Sequence, residues 1–160
     1  MSTVHASCVL FAGTGILLRG ASGAGKSALA HMLIMRHGAE LVADDRVALN
    51  PEGGLLVARP PETLAGLLEV RGLGIVRFPW QPEARIGLVL DLLPEAEIPR
   101  IPSEAEARTC LMGVTLPRVC ASSPQRSLDI LLTITGQSGA MVGPDTPLAS
   151  VRFDGKTKRS

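Results

Sequence analysis

The sequence predicts an α/β domain, and three observations predict it. A short apolar strand at residues 16–19 runs directly into Gly20-Ala21-Ser22-Gly23-Ala24-Gly25-Lys26-Ser27, and an apolar helix follows that loop. Further short apolar runs are separated by glycine and proline turns, which is the pattern of strands. The chain has 160 residues, 46% of them apolar, enough for one domain with a core and too few for two.

The elements follow in order. Cys8-Val9-Leu10-Phe11 reads as a strand, Gly13-Thr14-Gly15 as a turn, and residues 16–19 as a second strand. So short a connection makes the two antiparallel. Residues 26–37 carry apolar side chains at 29, 30, 33 and 34 and again at 32 and 35, a buried helix with Gly38 at its C-cap. Residues 40–43 form a strand ending at Asp44-Asp45, and 46–58 form a hairpin turning at Pro51-Glu52-Gly53-Gly54. Pro60-Pro61 is expected to open a helix over 62–68, and 69–78 is too glycine-rich for an ordinary strand. Residues 86–92 read as a buried strand, 94–107 as an exposed loop and 110–116 as a strand, whereas 127–134 suits strand or helix. No internal repeat is present.

Composition excludes several functions. Aromatic residues make up 2% of the chain, leaving no stacking surface for single-stranded nucleic acid. A net charge of +1 provides no field to draw nucleic acid or an anionic membrane, and the short basic tail Lys156, Lys158, Arg159 is an ordinary solvated end. Cys8, Cys110 and Cys120 show no metal spacing and are expected to be buried thiols in a reducing compartment. No stretch approaches the length of a membrane span, and no basic region precedes the first apolar run. The expected location is the cytoplasm.

Each position of the loop has a physical reason. Glycines at 20, 23 and 25 permit positive φ and close approach, so that successive N–H groups converge on an anion. The positive end of the following helix points at the same place. Lys26 supplies a mobile cation for β- and γ-phosphates, and the Ser27 hydroxyl is placed to ligate Mg²⁺. The loop is therefore expected to hold ATP with Mg²⁺. Asp44-Asp45 end an apolar run shortly afterwards, where carboxylates hold a metal or activate a nucleophile. Their spacing does not say which does which. Glu69 and Arg71 lie two apart in Leu68-Glu69-Val70-Arg71-Gly72-Leu73-Gly74-Ile75-Val76, a spacing that also suits a surface ion pair.

These pieces in this order resemble the catalytic domain of bacterial HPr kinase/phosphorylase. The resemblance rests on the loop at 20–27, Leu41-Val42-Ala43-Asp44-Asp45-Arg46-Val47, Pro60-Pro61 and the glycine-rich stretch at 68–76, and it covers residues 3–135. The chain looks like a short form without the family's N-terminal domain. The resemblance implies a P-loop α/β kinase core of the type shared with phosphoenolpyruvate carboxykinase, a mixed sheet with flanking helices. It also implies ATP-dependent phosphorylation of a serine of HPr, the phosphocarrier of the sugar phosphotransferase system, reversal by phosphorolysis, and a homo-oligomer, commonly a hexamer.

Residue by residue, His5 falls at the family's histidine, Lys26 and Ser27 at the loop lysine and metal-binding hydroxyl, and Asp44-Asp45 at the acidic pair, with Asp45 favoured as proton acceptor. Glu69 matches a second metal ligand beside Ser27 and Asp44, and Arg71 and Arg100 match active-site arginines. Residues 77–85 are shorter than their equivalent, and of the family's later Pro-x-x-x-Gly-Arg-Asn loop only the arginine survives, as Arg126. The expected organisation is a catalytic domain over 1–140 and a loosely held tail over 141–160. The residues by themselves also accommodate a kinase of a small metabolite or a non-catalytic ATP-binding regulator.

Overall fold

A computed structural model of the chain describes residues 2–136, so the tail expected over 141–160 lies outside the described residues. Strands β1 (Ser2–Val4), β2 (Ser7–Phe11) and β3 (Thr14–Gly20) lead into helix α1 (Lys26–His37). Then come β4 (Glu40–Ala43), β5 (Val47–Glu52), β6 (Leu55–Arg59), β7 (Leu67–Val70), β8 (Gly74–Arg77), β9 (Ala84–Leu92), β10 (Arg108–Leu111), β11 (Val114–Ala121) and helix α2 (Pro124–Thr135).

Strand β9 organises the main sheet, which runs β1-β5-β6-β9-β3-β2-β4. It pairs in parallel with β3 along one edge. Its other edge is shared by β6, antiparallel at Ala84 and Arg85, and by β11, parallel from Val89 to Leu92. The sheet is therefore mixed, as the family resemblance implies, and it is apolar on both faces. Leu18, Leu88, Leu90 and Leu92 meet Leu29 and Leu33 of α1 and Leu131 of α2, whereas Leu17 and Val89 pack with Val47, Leu49 and Leu56 of the β5–β6 hairpin. Strands buried on both faces read as continuous apolar runs, which is why 16–19 and 86–92 stand out in the sequence.

Three hairpins use the same two-residue turn. Ala12-Gly13, Gly53-Gly54 and Met112-Gly113 all have positive φ at both positions, the signature of a type I′ turn that matches strand twist. The last of these divides the strand expected at 110–116 into β10 and β11.

The helix expected at 62–68 is instead a single 3₁₀ turn at Glu62–Leu64 followed by β7. Gly66, at φ 77°, breaks any helical run, and its carbonyl accepts from Phe78 N–H at 2.8 Å. Residues 69–78 do form ordered strand, the β7–β8 hairpin, with Glu69 opposite Ile75. Leu68, Val70 and Val76 turn inward onto the helix-side core while Leu73 and Ile75 stay exposed. Segment 127–134 is helical, within α2: Pro124 sits in its first turn and the Ser123 side chain accepts from Arg126 N–H at 3.1 Å. Of the three cysteines expected to be buried, Cys8 is, its thiol pushed upward in pKa by burial, but Cys110 is exposed on β10.

Candidate active site

Helix α1 begins without a side-chain cap, at Gly25 with φ 109°. Its first amides are thus left to other partners, as a phosphate loop requires. Gly20 sits in a tight place, since a Cβ there would lie 3.0 Å from Leu92 O and 3.1 Å from the Ala24 Cβ. A turn closed by Ala24 N–H on Ala21 O at 3.0 Å shapes the middle of the loop. Lys26 folds back into the loop and donates to Gly20 O at 2.6 Å and Ala21 O at 3.1 Å. Its ammonium is buried within the cradle, and among the described residues its acceptors are neutral carbonyls that an anion would displace.

The acid pair is divided by its surroundings. Asp44 is 6% exposed and its carboxylate takes three donors: Ser27 Oγ at 2.8 Å and Ser7 Oγ at 2.6 Å, both on Oδ1, and the Glu69 N–H at 3.2 Å on Oδ2. Asp45 faces outward with its side chain 67% exposed. His5 Nε2 lies 2.9 Å from Asp45 Oδ1. An ionised carboxylate only accepts, so Nε2 carries the hydrogen. Asp45 stands at φ 67° within a three-residue turn closed by Arg46 N–H on Asp44 O at 2.7 Å. That turn sends two adjacent carboxylates into different environments.

The structure therefore joins His5, Lys26, Ser27, Asp44, Asp45 and the main chain of Glu69 at the ends of β2, β3, β4 and β7. The Glu69 carboxylate is exposed and forms no ion pair with Arg71 among the described residues. Arg71 is exposed in the β7–β8 turn, and Arg100 is exposed beyond β9; neither makes any of the hydrogen bonds above. Two contacts escape the sequence. Ser7 carries no motif, its only signal being its place two residues after His5. Pro124 packs against the loop, where a Cβ on Gly25 would lie 2.7 Å from its Cγ.

The donor set fits a hard cation shared with phosphate. The Ser27 hydrogen is directed at Asp44, which leaves the hydroxyl lone pairs for a metal. Among the described residues no group of three or more His, Cys, Asp or Glu side chains converges.

The chain as a whole is similar to known proteins. Residues 1–117 match the family described as HPr Serine kinase C-terminal domain. The chain belongs to that family. It is 35% identical over 149 residues to the HPr kinase/phosphorylase of Geobacillus thermodenitrificans, covering 86% of this chain and 48% of that relative. Over a shorter stretch of 73 residues it is 48% identical to the HPr kinase/phosphorylase of Clostridium beijerinckii, covering 46% of this chain and 24% of the relative. The chain thus spans about half the length of the Geobacillus relative it matches. The solved structure of the Hpr(Ser) kinase/phosphatase from Coxiella burnetii superposes with a TM-score of 0.72 at 23% identity, covering 87% of this chain and 96% of that one. The HPr kinase core fold expected from the sequence is the fold of this family member. No helix among the described residues is long and apolar enough to cross a membrane.

Proposed function

We propose that this domain is an ATP-dependent kinase that transfers the γ-phosphoryl group to a serine of the phosphocarrier HPr, with phosphorolysis of the phosphoserine as the reverse reaction of the same site. The observation that carries this reading is the Ser27–Asp44 hydrogen bond, which ties the phosphate loop to the acid pair and leaves Asp45 exposed beside it, held by His5. Membership of a family whose relatives are HPr kinase/phosphorylases supplies the acceptor.

In this reading the loop amides and Lys26 bind the phosphates, and Lys26 leaves Gly20 O and Ala21 O to do so. Ser27 and Asp44 hold Mg²⁺, with the Glu69 carboxylate as a further ligand. Mg²⁺ bound with the nucleotide supplies charge neutralisation on the phosphate oxygens. Exposed Asp45 accepts the proton of the serine hydroxyl, and His5 orients its carboxylate by donating to Oδ1. Arg71 and Arg100 are the cations for the equatorial oxygens of the group in flight. Assembly as a homo-oligomer, a hexamer by family likeness, and a cytoplasmic location belong to the same reading.

The test is incubation of the purified chain with radiolabelled ATP, Mg²⁺ and HPr, then in reverse with phosphoserine-HPr and inorganic phosphate. Label on the HPr serine is the expected result. Label passing only to small metabolites would replace the acceptor. Tight ATP binding without turnover on any acceptor would make the domain a regulator.

A further inference from the structure

We infer that Ser7 is a positioning residue of the metal site: its hydroxyl holds Asp44 in place so that Ser27 can engage a cation without the carboxylate moving with it. The inference rests on the reading of Asp44 as a metal-side carboxylate.

Three facts carry it. First, Ser7 breaks the pattern of its strand. Val9 and Phe11, at the same parity on β2, are core residues of the helix-side face, and the strand partner of Ser7, Leu18, belongs there too. An apolar side chain would suit position 7, yet a hydroxyl that is 0% exposed stands there. Its partner explains it: a 2.6 Å bond to Asp44 Oδ1, short as charge-assisted O–H···O⁻ bonds are.

Second, Oδ1 takes two hydroxyls, and only one of them belongs to the phosphate loop. In the proposed reading, Ser27 is the donor that nucleotide and cation engage. Were it the sole donor to Oδ1, the carboxylate would be free to swing with it. Ser7, fixed in β2, and the Glu69 N–H, fixed in β7, grip the two oxygens from opposite elements. Outer hydrogen bonds of this kind orient metal-binding groups.

Third, the grip is paired with a second one. His5 reaches Asp45 and Ser7 reaches Asp44, so a three-residue segment fixes both members of the acid pair and both outcomes of the turn at Asp45.

The experiment measures binding of a fluorescent ATP analogue across a Mg²⁺ series and in chelator, alongside thermal unfolding. Ser7→Ala should raise the Mg²⁺ concentration needed for half-maximal tightening about 10-fold or more. Affinity in chelator should not change. Ser7→Thr, which keeps the hydroxyl, should return to within about threefold, whereas Ser7→Cys, which keeps the shape with a weak donor, should resemble the alanine variant. The cysteine variant carries the test should the alanine variant fail to fold. An unaltered Mg²⁺ dependence in both, with only a lower melting temperature, would reduce Ser7 to a buried structural hydroxyl and overturn the inference. Asp44→Asn separates the levels. A large shift there beside none at Ser7 refutes the inference alone, and no shift at Asp44 refutes the metal-side reading and the inference with it.

Discussion

His5 Nε2 and Asp45 Oδ1 meet at 2.9 Å across 40 residues of chain, and the carboxylate they share sits on a backbone held at φ 67°. Side chains other than glycine pay for that region with steric crowding of Cβ, of order 1 kcal/mol, a little less for Asp. Asp45→Gly should therefore raise the thermal stability of the protein while lowering phosphoryl transfer by about 100-fold or more. Asp45→Ala should lose transfer equally but keep nucleotide binding. Melting curves and a labelled-ATP assay check both, and full activity in either variant would remove Asp45 from the proton-transfer role.

Among the described residues Lys26 is held only by the carbonyls of Gly20 and Ala21, so removing it should cost the free protein little and the complex a great deal. Wild type saturated at about 100 times its dissociation constant should gain roughly 2.7 kcal/mol of unfolding free energy from nucleotide. Lys26→Ala should show almost none of that gain and no transfer. Thermal shift with and without ATP and Mg²⁺ is the measurement.

Gly25 combines φ 109° with Pro124 Cγ at 2.7 Å from a would-be Cβ. Gly25→Ala suffers from both, and backbone strain alone is of order 1–3 kcal/mol. Gly25→Ala with Pro124→Ala should recover the share of the loss due to the clash and none due to the backbone. A double-mutant cycle on unfolding free energy gives the coupling, and strict additivity would mean that α2 does not press on the loop.

Asp91 lies in the interior of the sheet between Arg19, which donates to Oδ1 at 2.7 Å and Oδ2 at 2.8 Å, and Arg118, which donates to Oδ2 at 2.6 Å. Burial by itself would raise its pKa, and the two guanidiniums more than offset this and hold it below the usual carboxylate range. A lowered folded value means stability that is present above the unfolded value and lost as pH falls through the folded one. Asp91→Asn leaves two guanidiniums short of a partner and should cost roughly 3 kcal/mol at neutral pH. That difference from wild type should be level above about pH 5 and shrink below about pH 4, where the wild-type carboxyl begins to protonate in the unfolded chain. Denaturant unfolding at a series of pH values would show it.

What could be read from the sequence was local. The β2–β3 pair, α1 with its cap at Gly38, β4 and the 46–58 hairpin follow from apolar runs bounded by turn residues. Strand β7 was hidden because Pro60-Pro61 signals a helix start, and only the long-range demand of Leu68 and Val70 for the core decides otherwise. Met112-Gly113 makes a two-residue turn that Gly113 alone hints at. The glycine-rich loop and the acid pair stand out in the sequence as a motif. The support of both does not, because Ser7 and Pro124 reach the site through tertiary packing and Glu69 reaches Asp44 by a main-chain amide that any residue type except proline would provide.

The grip on the acid pair spans 37 residues for Ser7–Asp44 and 40 for His5–Asp45. Closing loops of that length is entropically unfavourable until β2 has docked beside β4. The glycine-rich segment and α1 are sequence-local and can take shape early in refolding. The carboxylate that we propose for the metal side cannot. Recovery of Mg²⁺-dependent nucleotide capture should then keep step with sheet closure, lagging helix formation, and so serve as a clock for the last event in the making of this domain.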